Sequence, residues 1–182
     1  MGYAGGTTDS PTYYKIGDHS ETVQIEYDPE QISYRDLLEV FWAVYDPLVY
    51  NSARQYMSII FYHNDEQKQL AIETQALEEA KRQEKIWTEI VPATVFYLAE
   101  DYHQKYYLRR IPQLESEFEA IYPEINDFVN STAVARVNGY AVGLGTQATL
   151  QEELDSLGLS SAGKAKLLEI TEAGLRPACP TL

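Results

Sequence analysis

The sequence is poor in cysteine, with Cys179 as the one thiol in 182 residues. A single cysteine excludes a disulfide within the chain and is typical of proteins kept in a reducing compartment. No apolar run approaches the roughly 20 residues that span a bilayer. The first residues also do not have the basic and apolar regions of a signal peptide. We therefore expect a cytoplasmic protein without a membrane segment.

Basic residues are scarce too, since 14 lysines and arginines stand against 28 aspartates and glutamates, a net charge of −14. Without a basic patch, binding to nucleic acid or to an anionic membrane is not expected. Phenylalanine is uncommon, with five residues, whereas tyrosine occurs 15 times. Because a buried tyrosine hydroxyl needs a hydrogen-bond partner, these tyrosines predict a polar cavity with hydroxyl groups in its wall.

Alternation and helical spacing divide the first 110 residues into strands and helices. Thr22–Tyr27 alternates polar and apolar side chains, as a half-buried strand does, and the preceding GYAGG predicts a tight turn. A helix is predicted from Ser33, with Asp36 completing its capping box. The remaining predicted elements here are strands over 56–62 and 86–91 and a helix over 65–84. This order predicts an α+β or α/β sandwich.

After about residue 110 the pattern changes to helices alone. The predicted helices begin at Pro112, near Ile125, at a Thr149 cap and at Ser160 or Ser161. We therefore predict a domain over 1–110, followed over 111–182 by a helical extension with a mobile tail.

Two polar clusters are candidates for chemistry, and each also fits an ordinary solvated surface. The first is Asp18-His19-Ser20-Glu21, and the second is AEDYHQKYY over 99–107. Two histidines with carboxylates suit iron or zinc, so His19 and His103 are candidate metal ligands beside Asp18, Glu21 and Asp101.

Six blocks of this sequence resemble the methionine sulfoxide reductase A family in the family's order and spacing. They are GYAGGTTDSPTY, GDHSETVQIEYDP, ISYRDLLEVFW, QYMSIIFYH, TEIVPATVFY and AEDYHQKY, over residues 2–108. VNGYAVGLG resembles the C-terminal extension of one subgroup. The resemblance implies a ferredoxin-like α+β sandwich with a mixed sheet, followed by C-terminal helices. It implies reduction of methionine S-sulfoxide, free or in proteins, by a monomer with no bound cofactor and with thioredoxin or a dithiol as external reductant.

The family's nucleophile is the cysteine of a GCFWG motif at a helix start, where the helix dipole lowers a thiol pKa. In the family that motif precedes GYAGG, together with a first strand and a first helix. The sequence has no GCFWG. We therefore expect the chain as given to be inactive as a reductase.

The other site residues follow from the resemblance position by position. Glu21 matches the general acid that protonates the sulfoxide oxygen, and Tyr13 and Tyr106 match tyrosines that hold this oxygen. Asp101 matches a polar support of the pocket. Cys179 fits a resolving thiol by position only, and an idle exposed thiol is the alternative.

Three hypotheses for the function remain open from the sequence alone. The first is a methionine sulfoxide reductase whose nucleophile lies upstream of the sequence as given. The second is a binding module for oxidised methionine that has no catalytic thiol. The third is a metalloprotein that uses His19 and His103.

Overall fold

The computed structural model describes residues 1–44 and 46–173, so Cys179 and the tail predicted to be mobile lie outside the described residues. The chain forms two compact units, Met1–Glu100 and Asp101–Leu182. The sequence-based boundary after residue 110 stays a prediction, and Leu108 belongs to the core of the helical unit. The fold is α+β, as the sequence predicts.

The first unit contains two small sheets and two long helices. Its elements are β1 (Gly2–Ala4), β2 (Ser20–Thr22), α1 (Tyr34–Val44), β3 (Ile59–Tyr62), α2 (Asp65–Arg82), β4 (Glu89–Pro92) and β5 (Tyr97–Leu98), with a 3-10 turn at Arg54–Tyr56. One sheet has the antiparallel order β2–β1–β5, and β3 pairs with β4 in parallel. The connection between β3 and β4 is therefore a crossover through α2.

Local sequence signals account for the two helices of this unit. Ser33 and Asp36 form the predicted capping box, since the N–H and hydroxyl of Ser33 donate to the Asp36 carboxylate and the Ser33 Oγ accepts from Asp36 N. The side chain of Asn64 accepts from Gln67 N and starts α2. The helices pack on the β3–β4 pair around one apolar cluster, Leu38, Trp42, Ile60, Ala71 and Ile86.

The predicted strand over Thr22–Tyr27 is wrong beyond its first residue. β2 ends at Thr22, which pairs with Gly2, the first residue of the antiparallel strand β1. Val23–Tyr27 continues beyond this pair without a strand partner among the described residues. The prediction of a turn at GYAGG is wrong for its first three residues, because Gly2–Ala4 is the central strand of its sheet. The turn follows at Gly5, with a φ of 83°.

The second unit is helical throughout its described residues. Its α-helices are α3 (Tyr106–Arg109), α4 (Pro112–Ile121), α5 (Ile125–Asn130), α6 (Thr132–Ala141), α7 (Gln147–Glu153) and α8 (Ser161–Ala173). The helix predicted from Ile125 is two helices, because the side chain of Ser131 caps α6. α7 begins at a Thr146 cap, with Thr149 as the reciprocal partner in the capping box. No helix among residues 1–44 and 46–173 is both long and apolar enough to cross a bilayer.

Candidate functional site

Glu21 lies on β2 at the centre of the candidate site. It stands opposite Tyr3 in the antiparallel ladder and is half-buried. The side-chain amide of Gln55 donates to Glu21 Oε1 at 2.7 Å. The 3-10 turn that carries Gln55 is held to β2, because Ser20 Oγ donates to the Arg54 carbonyl at 2.7 Å. The Gln55 side chain, on a turn held against β2, therefore orients the carboxyl group of Glu21.

Two tyrosines share this site with Glu21. The Tyr56 hydroxyl forms a hydrogen bond with the Tyr13 side chain, and this bond raises the pKa of Tyr56. Burial and the negative charge of Glu21 raise it further. Tyr56 directly follows Gln55, whose side-chain amide donates to the Glu21 carboxyl group. With its pKa raised, Tyr56 remains a protonated donor at neutral pH.

The sequence does not identify Tyr56 as a site residue. The QYMSIIFY run predicts a strand over 56–62, because most of its residues are apolar. The structure ends the 3-10 turn at Tyr56 and starts β3 only at Ile59. The signal that could have revealed Tyr56 is the polar Gln55 directly before it. A polar pair at the start of an apolar strand is typical of residues at a sheet end, where sites form.

The main chain of Tyr13 is held by Glu100. Glu100 Oε1 accepts from Tyr13 N at 3.0 Å, and Glu100 Oε2 accepts from the Tyr3 hydroxyl at 2.7 Å. Tyr3 is fully buried in β1. Glu100 therefore fixes the loop that carries Tyr13 to the central strand of the sheet.

The same loop has a second anchor at Asp18. The Asp18 carboxylate accepts from the main-chain N–H and the hydroxyl of both Thr7 and Thr8, at 2.8 to 3.1 Å. These bonds, led by the one from the Thr7 N–H, hold the pKa of Asp18 well below its usual range. Gly6 is required at this place, since a Cβ there would lie 2.6 Å from Asp18 Oδ1.

His19 is a structural residue of this loop. Its Nδ1 accepts from Gly6 N at 3.1 Å, so its Nε2 carries the proton and donates to the Thr8 carbonyl at 2.7 Å. Both ring nitrogens are thus engaged in the buried side chain, and neither offers a lone pair to a metal. No group of three or more histidine, cysteine, aspartate or glutamate side chains with metal-binding geometry occurs within the described part of the chain.

Asp101 and Tyr106 belong to the second unit. Asp101 is exposed and begins a 3-10 turn, Asp101–His103. Tyr106 is the first residue of α3, is 37% exposed, and its hydroxyl accepts from Arg110 Nη1 at 3.1 Å. Their participation in one site with Glu21 stays a prediction. The residues that the structure brings together are Glu21, Gln55, Tyr56 and Tyr13.

This group can hydrogen-bond an oxygen atom of a ligand from several directions. Two phenols supply O–H donors, and a carboxylic acid supplies a third donor when it is protonated. A strong hydrogen-bond acceptor such as a sulfoxide oxygen suits such a set. Residues 1–44 and 46–173 include no cysteine, so these residues supply acid–base groups and no thiol.

Comparisons with known proteins agree with this chemistry. The family model described as "Peptide methionine sulfoxide reductase" matches residues 1–136. A peptide methionine sulfoxide reductase of Drosophila melanogaster is 41% identical over 162 residues, which cover 88% of this chain and 65% of that protein. Peptide methionine sulfoxide reductase MsrA of Acinetobacter baumannii is 45% identical over 134 residues, covering 68% of this chain and 76% of the relative.

One solved structure has a fold similar to that of this chain. Mxr1 from Saccharomyces cerevisiae in reduced form matches with a TM-score of 0.56 and 35% identity, covering 62% of this chain and 70% of that chain. This chain spans 65% of the length of the relatives from Drosophila melanogaster and from Oryza sativa subsp. japonica.

Proposed function

Because the chain belongs to the peptide methionine sulfoxide reductase family, we propose that its site binds the S-epimer of methionine sulfoxide, free or in proteins, for reduction to methionine. The observation that carries this proposal is the convergence of Glu21, Tyr13 and Tyr56. A carboxyl group and two phenols are hydrogen-bonding groups of the kind that suit the single oxygen that distinguishes the sulfoxide from methionine.

Each group has a role in the proposed reaction. A thiolate attacks the sulfoxide sulfur, and the oxygen leaves this sulfur only after it has been protonated. Glu21 supplies the proton, while Tyr13 and Tyr56 hold the oxygen by hydrogen bonds. The oxygen ends on the attacking cysteine as a sulfenic acid, and methionine is released. A second thiol then forms a disulfide with this cysteine and water is lost, after which an external dithiol reduces the disulfide.

The thiols are the part of this scheme that the described residues do not supply. We assign the attack to the cysteine of a GCFWG segment, which the sequence as given does not contain, and the resolving step to Cys179. Thioredoxin, or a small dithiol, is the proposed reductant of a cytoplasmic, monomeric enzyme without a bound cofactor. Asp101 and Tyr106 keep the roles that the family resemblance implies.

A binding module for oxidised methionine is the second candidate. The favouring observation is the single cysteine of the sequence, because a chain that holds the sulfoxide without attacking it needs only Glu21 and the two tyrosines. The metalloprotein hypothesis is less favoured, since both nitrogens of His19 are engaged in the loop.

One assay tests the proposal and separates the two candidates. Methionine S-sulfoxide and a dithiol are supplied to the chain as given and to a form extended upstream through a GCFWG segment. We expect turnover only in the extended form, and sulfoxide binding in both. Binding without turnover in either form would instead favour the binding module. Reduction by the short chain that disappears in Cys179→Ser would instead make the tail thiol the nucleophile. Absence of both binding and turnover in the extended form would refute the proposed function.

A further inference from the structure

The 3-10 turn Arg54–Tyr56 carries two side chains of the candidate site. Gln55 donates to the Glu21 carboxyl group, and the Tyr56 hydroxyl is hydrogen-bonded to Tyr13. The turn lies outside the strands, and its first residue has no side-chain cap from Ala53. The positions of Gln55 and Tyr56 therefore depend on the contacts that hold the turn from outside.

Arg54, the first residue of this turn, binds a different strand with each of its ends. Its carbonyl accepts from Ser20 Oγ on β2 at 2.7 Å and from Met57 N at 3.3 Å. Its Nη1 donates to Glu89 Oε2 on β4 at 2.7 Å, across 35 residues of sequence, and lies 3.6 Å from Met57 Sδ. The main chain of Arg54 is thus held to one strand, and its guanidinium is held to another.

Glu89 is a well-supported partner for this guanidinium. It is the first residue of β4, it stands opposite Ile59 of β3, and its N–H donates to the Ser58 carbonyl at 3.0 Å. Directly before it, the hydroxyls of Thr88 and Ser58 form a buried hydrogen bond of 2.7 Å. The Thr88 carbonyl accepts from Gln75 Nε2, on α2, at 2.8 Å. The strand that carries the carboxylate is therefore anchored to both β3 and α2.

The pair of Arg54 and Glu89 is partly exposed, with 33% and 39% of the two side chains accessible. Ion pairs with this exposure contribute little to the stability of a whole chain, because solvent screens them. A charge-assisted hydrogen bond still fixes distance and direction between its two groups. Here it fixes the residue directly before Gln55, so its main effect is expected on the placement of the turn.

We propose that Arg54 is a positioning residue of the candidate site, which acts through its ion pair with Glu89. The pair holds the turn at the place and rotation in which Gln55 reaches the carboxyl group and Tyr56 reaches its tyrosine partner. Arg54 acts through these two neighbours and not on the ligand. The consequence for sulfoxide binding rests on the proposed function, whereas the placement of Tyr56 does not.

The test replaces Arg54 in the chain as given. Arg54→Met keeps a long apolar stem and removes the ion pair. We expect the pKa of Tyr56, followed by NMR titration of ring-labelled tyrosine, to move down as its bond with Tyr13 loosens. Loss of a positive charge by itself would move the pKa of a phenol up, so the direction of the shift separates displacement of the turn from a charge effect. Affinity for methionine S-sulfoxide, measured by isothermal titration calorimetry, should fall about 5-fold.

Two further comparisons assign these changes to the ion pair. Arg35→Met is the matched control, because Arg35 pairs with Glu73 at 2.8 Å between α1 and α2, with 38% and 49% of the side chains exposed. It should change neither the Tyr56 titration nor the affinity. Arg54→Glu alone, which sets two carboxylates against each other, should lose more than Arg54→Met. The charge-reversed double variant, Arg54→Glu with Glu89→Arg, should recover most of this loss.

Each result decides the inference. An unchanged or raised pKa of Tyr56, an unchanged affinity, equal losses in Arg35→Met, or a folded double variant without recovery would overturn it. If Arg54→Met does not fold, Glu89→Gln takes its place, because it keeps the shape of the side chain and removes only the charge. Absence of sulfoxide binding by the unchanged chain would instead refute the proposed function, and the Tyr56 titration would still decide whether Arg54 holds the turn.

Discussion

The side-chain amide of Gln55 donates to the Glu21 carboxylate at 2.7 Å, across 34 residues of sequence. The contact joins the end of β2 to the 3-10 turn before β3, and the same turn brings Tyr56 to Tyr13. The orientation of the proposed acid is therefore set by a residue adjacent in sequence to Tyr56, one of the two tyrosines that we propose to hold the ligand oxygen.

Replacement of Gln55 tests this arrangement in the chain as given. Gln55→Leu keeps the side-chain bulk but removes a hydrogen bond to a carboxylate, of the kind that contributes about 1.5–3 kcal/mol. We expect affinity for methionine S-sulfoxide to fall about 10-fold, measured by isothermal titration calorimetry. Gln31→Leu is the control, because the amide of Gln31 also donates to a carboxylate, that of Asp28, away from the site. Equal losses in both variants would contradict the role of Gln55.

The role of Glu21 as general acid is tested in the form extended through GCFWG. Glu21→Gln keeps the shape and the hydrogen-bonding capacity but cannot deliver a proton. Loss of a general acid typically costs about 10²-fold or more, so we expect turnover of methionine S-sulfoxide to fall by at least that factor. Stopped-flow measurement of a single turnover isolates the chemical step from the resolving step. A variant that kept most of its rate would show that another group protonates the oxygen.

The bond between Tyr56 and Tyr13 predicts a change in a tyrosine titration. The hydrogen bond with Tyr13 is the largest cause of the raised pKa of Tyr56. In Tyr13→Phe the acceptor is gone, so we expect the pKa of Tyr56 to move down toward its ordinary value. The measurement is NMR titration of ring-labelled tyrosine. Tyr14→Phe serves as control, because Tyr14 is the adjacent residue and is 88% exposed. An unchanged Tyr56 titration in Tyr13→Phe would contradict the assignment.

The Asp18 anchor predicts a dependence of stability on pH. The N–H and hydroxyl donors of Thr7 and Thr8 lower the pKa of Asp18 in the folded chain. The contribution of the Asp18 carboxylate to the free energy of unfolding is therefore fully present above the unfolded pKa of about 3.9. The contribution is then lost as pH falls below that value toward the lower folded pKa. The free energy of unfolding by urea should therefore be lower in Asp18→Asn than in the unchanged chain at pH 7. This difference should shrink progressively below about pH 4. A difference that stayed constant down to pH 3 would contradict the role of the charge.

Local signals in the sequence were sufficient where short-range hydrogen bonds decide the structure. The Ser33–Asp36 capping box and the start of α4 at Pro112 involve residues within a few positions of one another. Strand lengths could not be predicted in this way. Thr22–Tyr27 has the alternation of a strand, yet a strand needs a partner, and β1 offers one only as far as Thr22.

The sequence by itself determined the family, the α+β class and the roles of Glu21 and Tyr13 as expectations, because these depend on motifs whose residues lie side by side in the chain. Tertiary structure decided which other side chains surround Glu21. Gln55 and Tyr56 lie 34 and 35 positions further along the chain and reach it only because a hydrogen bond from Ser20 holds their turn against β2. Such contacts depend on the packing of distant segments, and no local pattern of residues specifies them.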